Sequence, residues 1–152
     1  MTLKSLQSAV SARLVGAVVA ACLFAVGASA QSGGTSVFSG TFTLPYEVHW
    51  GRSTLPAGPY SVRMESIQQA AIVRSANGKI NAFLRIPVIA DAEKGTGTYL
   101  TIVHRGNESR VQALNAPQMG KVLIYEPITK VEREELAEAG QVQTLSVTTA
   151  KK

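Results

Sequence analysis

Two histidines and one glutamate come nearest to a catalytic set. Glu47 and His49 lie two positions apart, so in a β-strand both side chains would point to the same face. A carboxylate beside an imidazole can orient it as a general base, and His104 could complete a small hydrolase or metal-dependent site. The alternative is that all three are solvent-facing residues. Because a metal site usually needs three or four ligands, we predict neither a metal nor a cofactor.

Trp50 and Tyr60 flank a loop rich in proline and glycine. Amphipathic aromatic rings make good contact area, so the pair could form a lip that binds a sugar or a peptide. The other interpretation is structural, with Trp50 closing one strand, Tyr60 opening the next, and both rings fixing the loop to the core. The pattern favours this second interpretation.

Arg63, Arg74 and Arg85 are spaced by eleven residues. We predict that they lie on three consecutive strands, where they could form a row across the outer face of a sheet. Three guanidinium groups in a row could bind carboxylates or phosphates. Isolated surface arginines that keep the protein soluble would give the same spacing.

Several classes of function lack their motifs. The chain has no Gly-x-Ser-x-Gly and no phosphate-binding loop, and Asp91 and Glu93 do not follow the ligand spacing of an EF-hand. Basic residues do not cluster with aromatic ones as in a single-strand nucleic-acid groove, so we expect no nucleic-acid partner.

The first thirty residues have the pattern of a secretory signal peptide. Lys4 and Arg13 precede an apolar run of about 13 residues over 14–26, too short for a membrane span, which needs roughly 20. Small residues then lead to a predicted cleavage between Ala30 and Gln31. An alternative is that Cys22 is a lipidated cysteine, although the chain stays apolar beyond it.

Cleavage after Ala30 would leave 122 residues without cysteine. Loss of Lys4 and Arg13 lowers the basic count from 15 to 13 against 10 acidic residues, a net charge of +3. We predict a leader over 31–36, one β-rich domain over 37–149 and a basic tail over 150–152, with no membrane span after cleavage.

The most regular pattern in the chain is a two-residue alternation. The larger apolar residues and one glycine occupy the even positions, namely Phe38, Gly40, Phe42, Leu44, Tyr46, Val48 and Trp50. Because successive side chains of a strand point to opposite faces, the alternation predicts a strand with one buried face. Pro45 cannot donate to a ladder, so the run is either an exposed edge or two strands joined at a bend.

Further short strands are predicted over 60–64, 70–75, 80–89, 98–104, 110–114, 121–125 and 141–149. Asn77-Gly78 indicates a hairpin turn. Thr129 with Glu132 three residues later matches a capping box and predicts a helix that ends at Gly140. That helix would pack on the sheet through an apolar stripe, which comprises Ile128, Val131, Leu136 and Ala139.

The segments "FTLPYEVHWGRSTLPAGPYSV", "LTIVHRGNESRVQAL" and "REELAEAGQVQTLSV" resemble a family of small exported bacterial β-rich proteins. The most specific element is Leu-Pro-Ala-Gly-x-Tyr over 55–60. The chain departs from the family where Val48, Trp50, Val111 and Ala113 replace its usual aromatic pattern. The resemblance implies an exported β-fold and no particular activity.

These patterns together predict a mainly β protein, an antiparallel β-sandwich or a small open barrel with one short C-terminal helix. We expect it to be periplasmic or extracellular, and to act as a non-enzymatic binding or structural module. The expected partner is an envelope protein, a peptide or a glycan, bound by pairing with the edge strand marked by Pro45. A small hydrolase or metal-dependent enzyme is the competing hypothesis.

Overall fold

The alternating run forms the first two strands. The computed structural model describes residues 36–150, in which β1 spans Phe38–Leu44 and β2 spans Val48–Trp50. Buried and exposed side chains alternate without a break along β1, and the even-numbered ones are buried. The chain bends over 45–47 between the two strands, so two strands joined at a bend is the correct alternative.

Ten further strands and one helix follow. The strands are β3 (Ser53–Leu55), β4 (Gly58–Met64), β5 (Ile72–Ser75), β6 (Asn81–Phe83), β7 (Val88–Asp91), β8 (Tyr99–Arg105), β9 (Glu108–Ala116), β10 (Lys121–Ile124), β11 (Val142–Ser146) and β12 (Thr148–Thr149). A 3-10 turn spans Pro117–Met119, and helix α1 spans Lys130–Glu138. The prediction of a mainly β fold with one short helix near the C-terminus is confirmed.

The strands form two sheets. Sheet A has the order β12-β1-β4-β5-β6, and sheet B has the order β11-β8-β9-β10-β7. Strand β2 joins sheet B through a short parallel contact with β9, and β3 pairs with β2; the other pairings are antiparallel. Strand β1 lies between β12 and β4, so the prediction that the strand marked by Pro45 is a sheet edge is wrong.

One hydrophobic core serves both sheets. Phe42 and Val62 contribute from sheet A, Leu100 and Leu114 from sheet B, and Trp50 is fully buried among them. Two sheets with a shared core correspond to the sandwich alternative. The described residues all belong to one compact unit.

Two of the predicted strands are divided. The segment 80–89 gives β6 in sheet A and the start of β7 in sheet B, with a break before Pro87, which lacks the backbone N–H that a continuous ladder requires. Ile86 is consequently 61% exposed rather than on the inner face with Ala82 and Leu84. The segment 141–149 similarly divides into β11 and β12 at Val147, which is buried.

Helix α1 begins and ends as predicted. The hydroxyl of Thr129 accepts a hydrogen bond of 3.2 Å from the backbone N–H of Glu132, and Gly140 has a left-handed φ of 67°. The predicted apolar stripe is narrower than expected, since Leu136 is the buried residue of the helix and Val131 is 64% exposed.

The described segment contains no helix that is both long and apolar enough to cross a membrane. The predicted signal peptide, its Ala30–Gln31 cleavage site and Cys22 lie outside the described residues.

Candidate functional site

The three residues of the hydrolase hypothesis have separate surroundings. His49 lies on β2, where Nδ1 is 3.1 Å from Oγ1 of Thr54, and His104 lies on β8. Strands β2 and β8 pair with β9 from its two sides, and Glu47 is exposed in the bend before β2. Within residues 36–150 no hydrogen bond joins the three side chains, and no group of three or more His, Cys, Asp or Glu could hold a metal ion.

His104 instead belongs to a polar cluster at the end of β8. Its Nδ1 is 2.9 Å from Oγ of Ser109, and its Nε2 is 3.1 Å from the hydroxyl of Tyr46. The Tyr46 hydroxyl also donates to Oε1 of Gln143. Both imidazole nitrogens thus have neighbouring side-chain partners, which tie the bend after β1 to β8, β9 and β11.

Trp50 and Tyr60 lie in the core and do not form an exposed lip. Trp50 is 0% exposed and packs edge-on against Tyr125, with ring centroids 5.3 Å apart. Tyr60 is 4% exposed, stacks on Phe42 at 5.8 Å, and donates a hydrogen bond of 2.9 Å to the backbone oxygen of Pro56. The structural interpretation of the two rings therefore fits the observed packing.

The predicted row of three arginines is interrupted. Arg63 on β4 pairs in register with Ile72, and Arg74 on β5 pairs with Ser61, so the two arginines are diagonal neighbours on the outer face of sheet A. Arg85 lies beyond the end of β6 and is not part of that face. The spacing of eleven fails because the third strand ends at Phe83.

A groove on the outer face of sheet B contains a buried amide residue, Gln112, and is our candidate site; none of the predicted site residues lines it. Its volume is about 360 Å³, within the range of sites for small ligands. The floor comes from four neighbouring strands and includes Thr101, Ala113, Ile124 and Val142. The walls come from the α1 region at one end, and from the segment that follows β7 at the other.

A β-bulge places an extra residue of β9 in this groove. Thr101 pairs with Ala113 and the next residue, Ile102, pairs with Val111, so Gln112 has no opposite residue. The backbone oxygen of Gln112 accepts hydrogen bonds from the N–H groups of Tyr125 and Glu126. Its side chain is 5% exposed, lines the groove and has no hydrogen-bond partner in the part of the chain that the structure describes.

Asn115, the other buried polar residue of β9, has its partners. Its Nδ2 donates to Oγ1 of Thr96 at 3.0 Å and to the backbone oxygen of Gly97 at 2.9 Å. Oγ1 of Thr96 in turn donates to the backbone oxygen of Glu93 at 3.0 Å. This network fixes the loop wall of the groove to its floor, whereas the Gln112 carboxamide has no such partner within residues 36–150.

Charges of opposite sign lie at the two ends of the groove. Arg133 of α1 lines one end, and Glu93 with Asp91 lines the other. Asp91 accepts a hydrogen bond of 2.6 Å from Lys121, and this bond together with the lysine charge lowers the pKa of its carboxyl group. Neither Arg133 nor Glu93 has an ion pair among residues 36–150.

The sequence did contain a signal for this site. Gln112 and Asn115 interrupt an otherwise apolar strand, and buried amides in such a strand must bond to protein, water or ligand. The bulge itself has no signature in the pattern of apolar residues, because it depends on pairing with β8.

Comparison of the chain with protein-family models, with curated proteins and with solved structures gives no match. The resemblance to small exported bacterial proteins stays a prediction, and the candidate site rests on its own geometry.

Proposed function

We propose that the protein is an exported, non-enzymatic binding module of the cell envelope, and that the groove on sheet B binds a short, extended peptide segment. The observation that carries this proposal is Gln112, a residue only 5% exposed that lines the groove and whose carboxamide has no protein hydrogen-bond partner within residues 36–150.

A carboxamide offers one acceptor and a donor group side by side, which matches the N–H and C=O groups of a peptide. A ligand that pairs with this carboxamide would gain a hydrogen bond, which contributes about 0.5–1.5 kcal/mol. The apolar floor around Ala113 and Ile124 would receive the side chains that point towards the sheet.

The charges at the two ends support the same class of ligand. Arg133 lies near the end of β8, because its neighbour Glu132 forms an ion pair with Arg105, the last residue of that strand. Glu93 lies near the beginning of β8, because its loop leads into Tyr99, the first residue of the strand. The four steps from Tyr99 to Val103 cover about 13 Å at the usual rise of a strand. A peptide of about four residues would therefore place its carboxylate near Arg133 and its amino group near Glu93.

The enzyme hypothesis receives less support from the geometry. It requires His49, Glu47 and His104 to act together, and the two histidines have separate hydrogen-bond partners on either side of β9. A binding role needs no such convergence.

The test is a titration of the ¹⁵N-labelled protein with tetrapeptides of valine, isoleucine and alanine, each with a free amino terminus and a free carboxylate. We expect shifts of the backbone amides at 99–101 and 112–115. Gln112→Met keeps the length of the side chain and removes its donor and acceptor, so affinity should fall about tenfold, the equivalent of one hydrogen bond.

Gln68→Met is the matched control, because Gln68 is exposed in the loop after β4 and its side chain has no bond within the described segment. It should bind as the unchanged protein does. Equal affinity of Gln112→Met and Gln68→Met for a peptide that shifts the groove, or no tetrapeptide that shifts it, would contradict the proposal.

A further inference from the structure

A second depression lies between the β2–β3 turn and the segment that follows β6. It has a volume of about 520 Å³ and shares no lining residue with the groove on sheet B. Three arginines line it, namely Arg52, Arg85 and Arg110. We refer to it as the arginine pocket.

The positive charge of the pocket is only partly compensated. Arg110 donates from Nε and Nη2 to Oε2 of Glu108, at 3.0 and 2.9 Å, and lies 3.9 Å from the carboxylate of Glu126. Arg52 and Arg85 have neither an ion pair nor a side-chain hydrogen bond in the stretch 36–150. Two guanidinium groups on different walls are therefore available to an anion.

Each of these two arginines follows a well-anchored backbone. Trp50 pairs with Ser53 across the two-residue turn Gly51-Arg52, and Gly51 has the left-handed φ of 62° that the turn requires. Arg85 follows Leu84, which is 2% exposed and whose N–H donates to the backbone oxygen of Ala71 at 2.8 Å. Short links to buried residues restrict where the guanidinium groups can lie.

The pocket also has an apolar wall. Phe83 is 67% exposed, the largest exposed fraction among the large apolar residues of the described segment, and Pro127 is exposed too. Tyr125, at the base of the pocket, is 2% exposed, and its hydroxyl is buried without a partner in the described structure. An inorganic anion would pair with the arginines and leave Phe83 uncovered, whereas an uncharged apolar molecule would cover Phe83 and leave the arginines without a counter-charge.

We propose that the arginine pocket binds an organic carboxylate that carries an aromatic or alkyl group. The carboxylate lies between Arg52 and Arg85, whose planar guanidinium groups match its two oxygens, and the apolar group covers Phe83. This second site is independent of the peptide groove and does not require that the groove bind anything.

The test uses three probes on the ¹⁵N-labelled protein at low salt: N-acetylphenylalanine, its uncharged amide, and inorganic phosphate. The acid should shift the backbone amides of 51–52 and 83–85. The amide keeps the ring without the charge, and phosphate keeps a charge without the ring, so both should bind at least about fivefold more weakly. Equal binding of the acid and its amide would overturn the proposal.

Variants assign the effect to the pocket. Arg52→Gln and Arg85→Gln should each weaken binding of the acid about fivefold, since exposed ion pairs contribute up to about that factor. Arg74→Gln is the matched control, because Arg74 is exposed on sheet A and has no ion pair within 36–150. A loss with Arg74→Gln as large as that with Arg85→Gln would reduce the effect to overall charge and overturn the assignment.

A fourth probe distinguishes a free small acid from the carboxyl terminus of a peptide. If Ala-Ala-Phe shifts the backbone amides of 51–52 and 83–85 and binds at least as tightly as N-acetylphenylalanine, the ligand of the pocket is the carboxyl terminus of a peptide. Weaker binding of Ala-Ala-Phe identifies a free carboxylic acid as the ligand, and either result supports the carboxylate site.

Discussion

The outer faces of the two sheets are built in opposite ways. In sheet A, β1 alternates strictly between buried and exposed side chains, so its outer face carries exposed residues such as Thr41. In sheet B, six consecutive residues of β9, from Val111 to Ala116, are buried, so both faces of that strand are covered. Both sheets contribute to the shared core, and they differ on the side away from it.

The difference arises from what lies over each sheet. Helix α1 and the loop that contains Thr96 border the outer face of sheet B, and the gap between them is the groove. A covered sheet face can hold buried polar groups such as Gln112 and Asn115, whose partners must then be supplied by loops or ligands. The groove that we propose as a peptide site therefore lies on the sheet whose outer face is covered.

The first way to test this comparison is on the inner faces, where the sheets should behave alike. Phe42→Ala in sheet A should lower the free energy of unfolding by about 3–5 kcal/mol, and Leu114→Ala in sheet B by about 2–5 kcal/mol, because each leaves a cavity in the common core. Urea denaturation followed by circular dichroism measures both. A loss below 1 kcal/mol at either position would mean that the sheets do not share one core.

The second test is on the outer faces, where the sheets should differ. Asn115→Ala should lower the free energy of unfolding by about 1–3 kcal/mol, because it removes the two hydrogen bonds that the buried carboxamide donates to Thr96 and Gly97. Thr41→Ala, at an exposed position of β1, should change it by less than about 0.5 kcal/mol. Equal effects in the same denaturation experiment would remove the distinction between the two faces.

Local patterns predicted sheet A and the helix well. The alternation from Phe38 to Trp50 identifies each buried residue of β1, because one face of that strand is solvent-exposed and a period of two is therefore visible. The N-terminal cap of the helix at Thr129 could also be predicted from the sequence, because it depends on two residues that are three positions apart in the chain.

Sheet B and its groove were less predictable, because their central strand β9 does not alternate between buried and exposed side chains. A strand buried on both faces has no alternation to read, so the extent of β9 and the outward position of Ala113 could not be derived. The bulge at Gln112 depends on the register with β8, and the place of Arg85 in the arginine pocket depends on where β6 ends. These are properties of strand pairing and not of local sequence.

The last and smallest effect concerns hydrogen bonding of buried polar atoms, which differs between the core and the groove. Trp50 Nε1 and the hydroxyl of Tyr125 are buried without partners in the described structure, whereas Asn115 in the groove has two. Tyr125→Phe removes an unpaired hydroxyl and no hydrogen bond. At neutral pH we expect the free energy of unfolding to stay constant or rise by up to roughly 1 kcal/mol.

The pH dependence of this variant gives the sharper result. Burial raises the pKa of Tyr125 above the ordinary value of 10.0, so the folded protein keeps this proton at a pH where the unfolded chain releases it. Because the unfolded state then binds fewer protons, stability falls as the pH rises above about 10, by up to about 1.4 kcal/mol per pH unit. Tyr125→Phe should lose this contribution, so the difference in unfolding free energy between the two proteins should grow from pH 9 to pH 11. A constant difference across that range would show that the hydroxyl is accessible to water, and the core would then resemble the groove in how it treats polar groups.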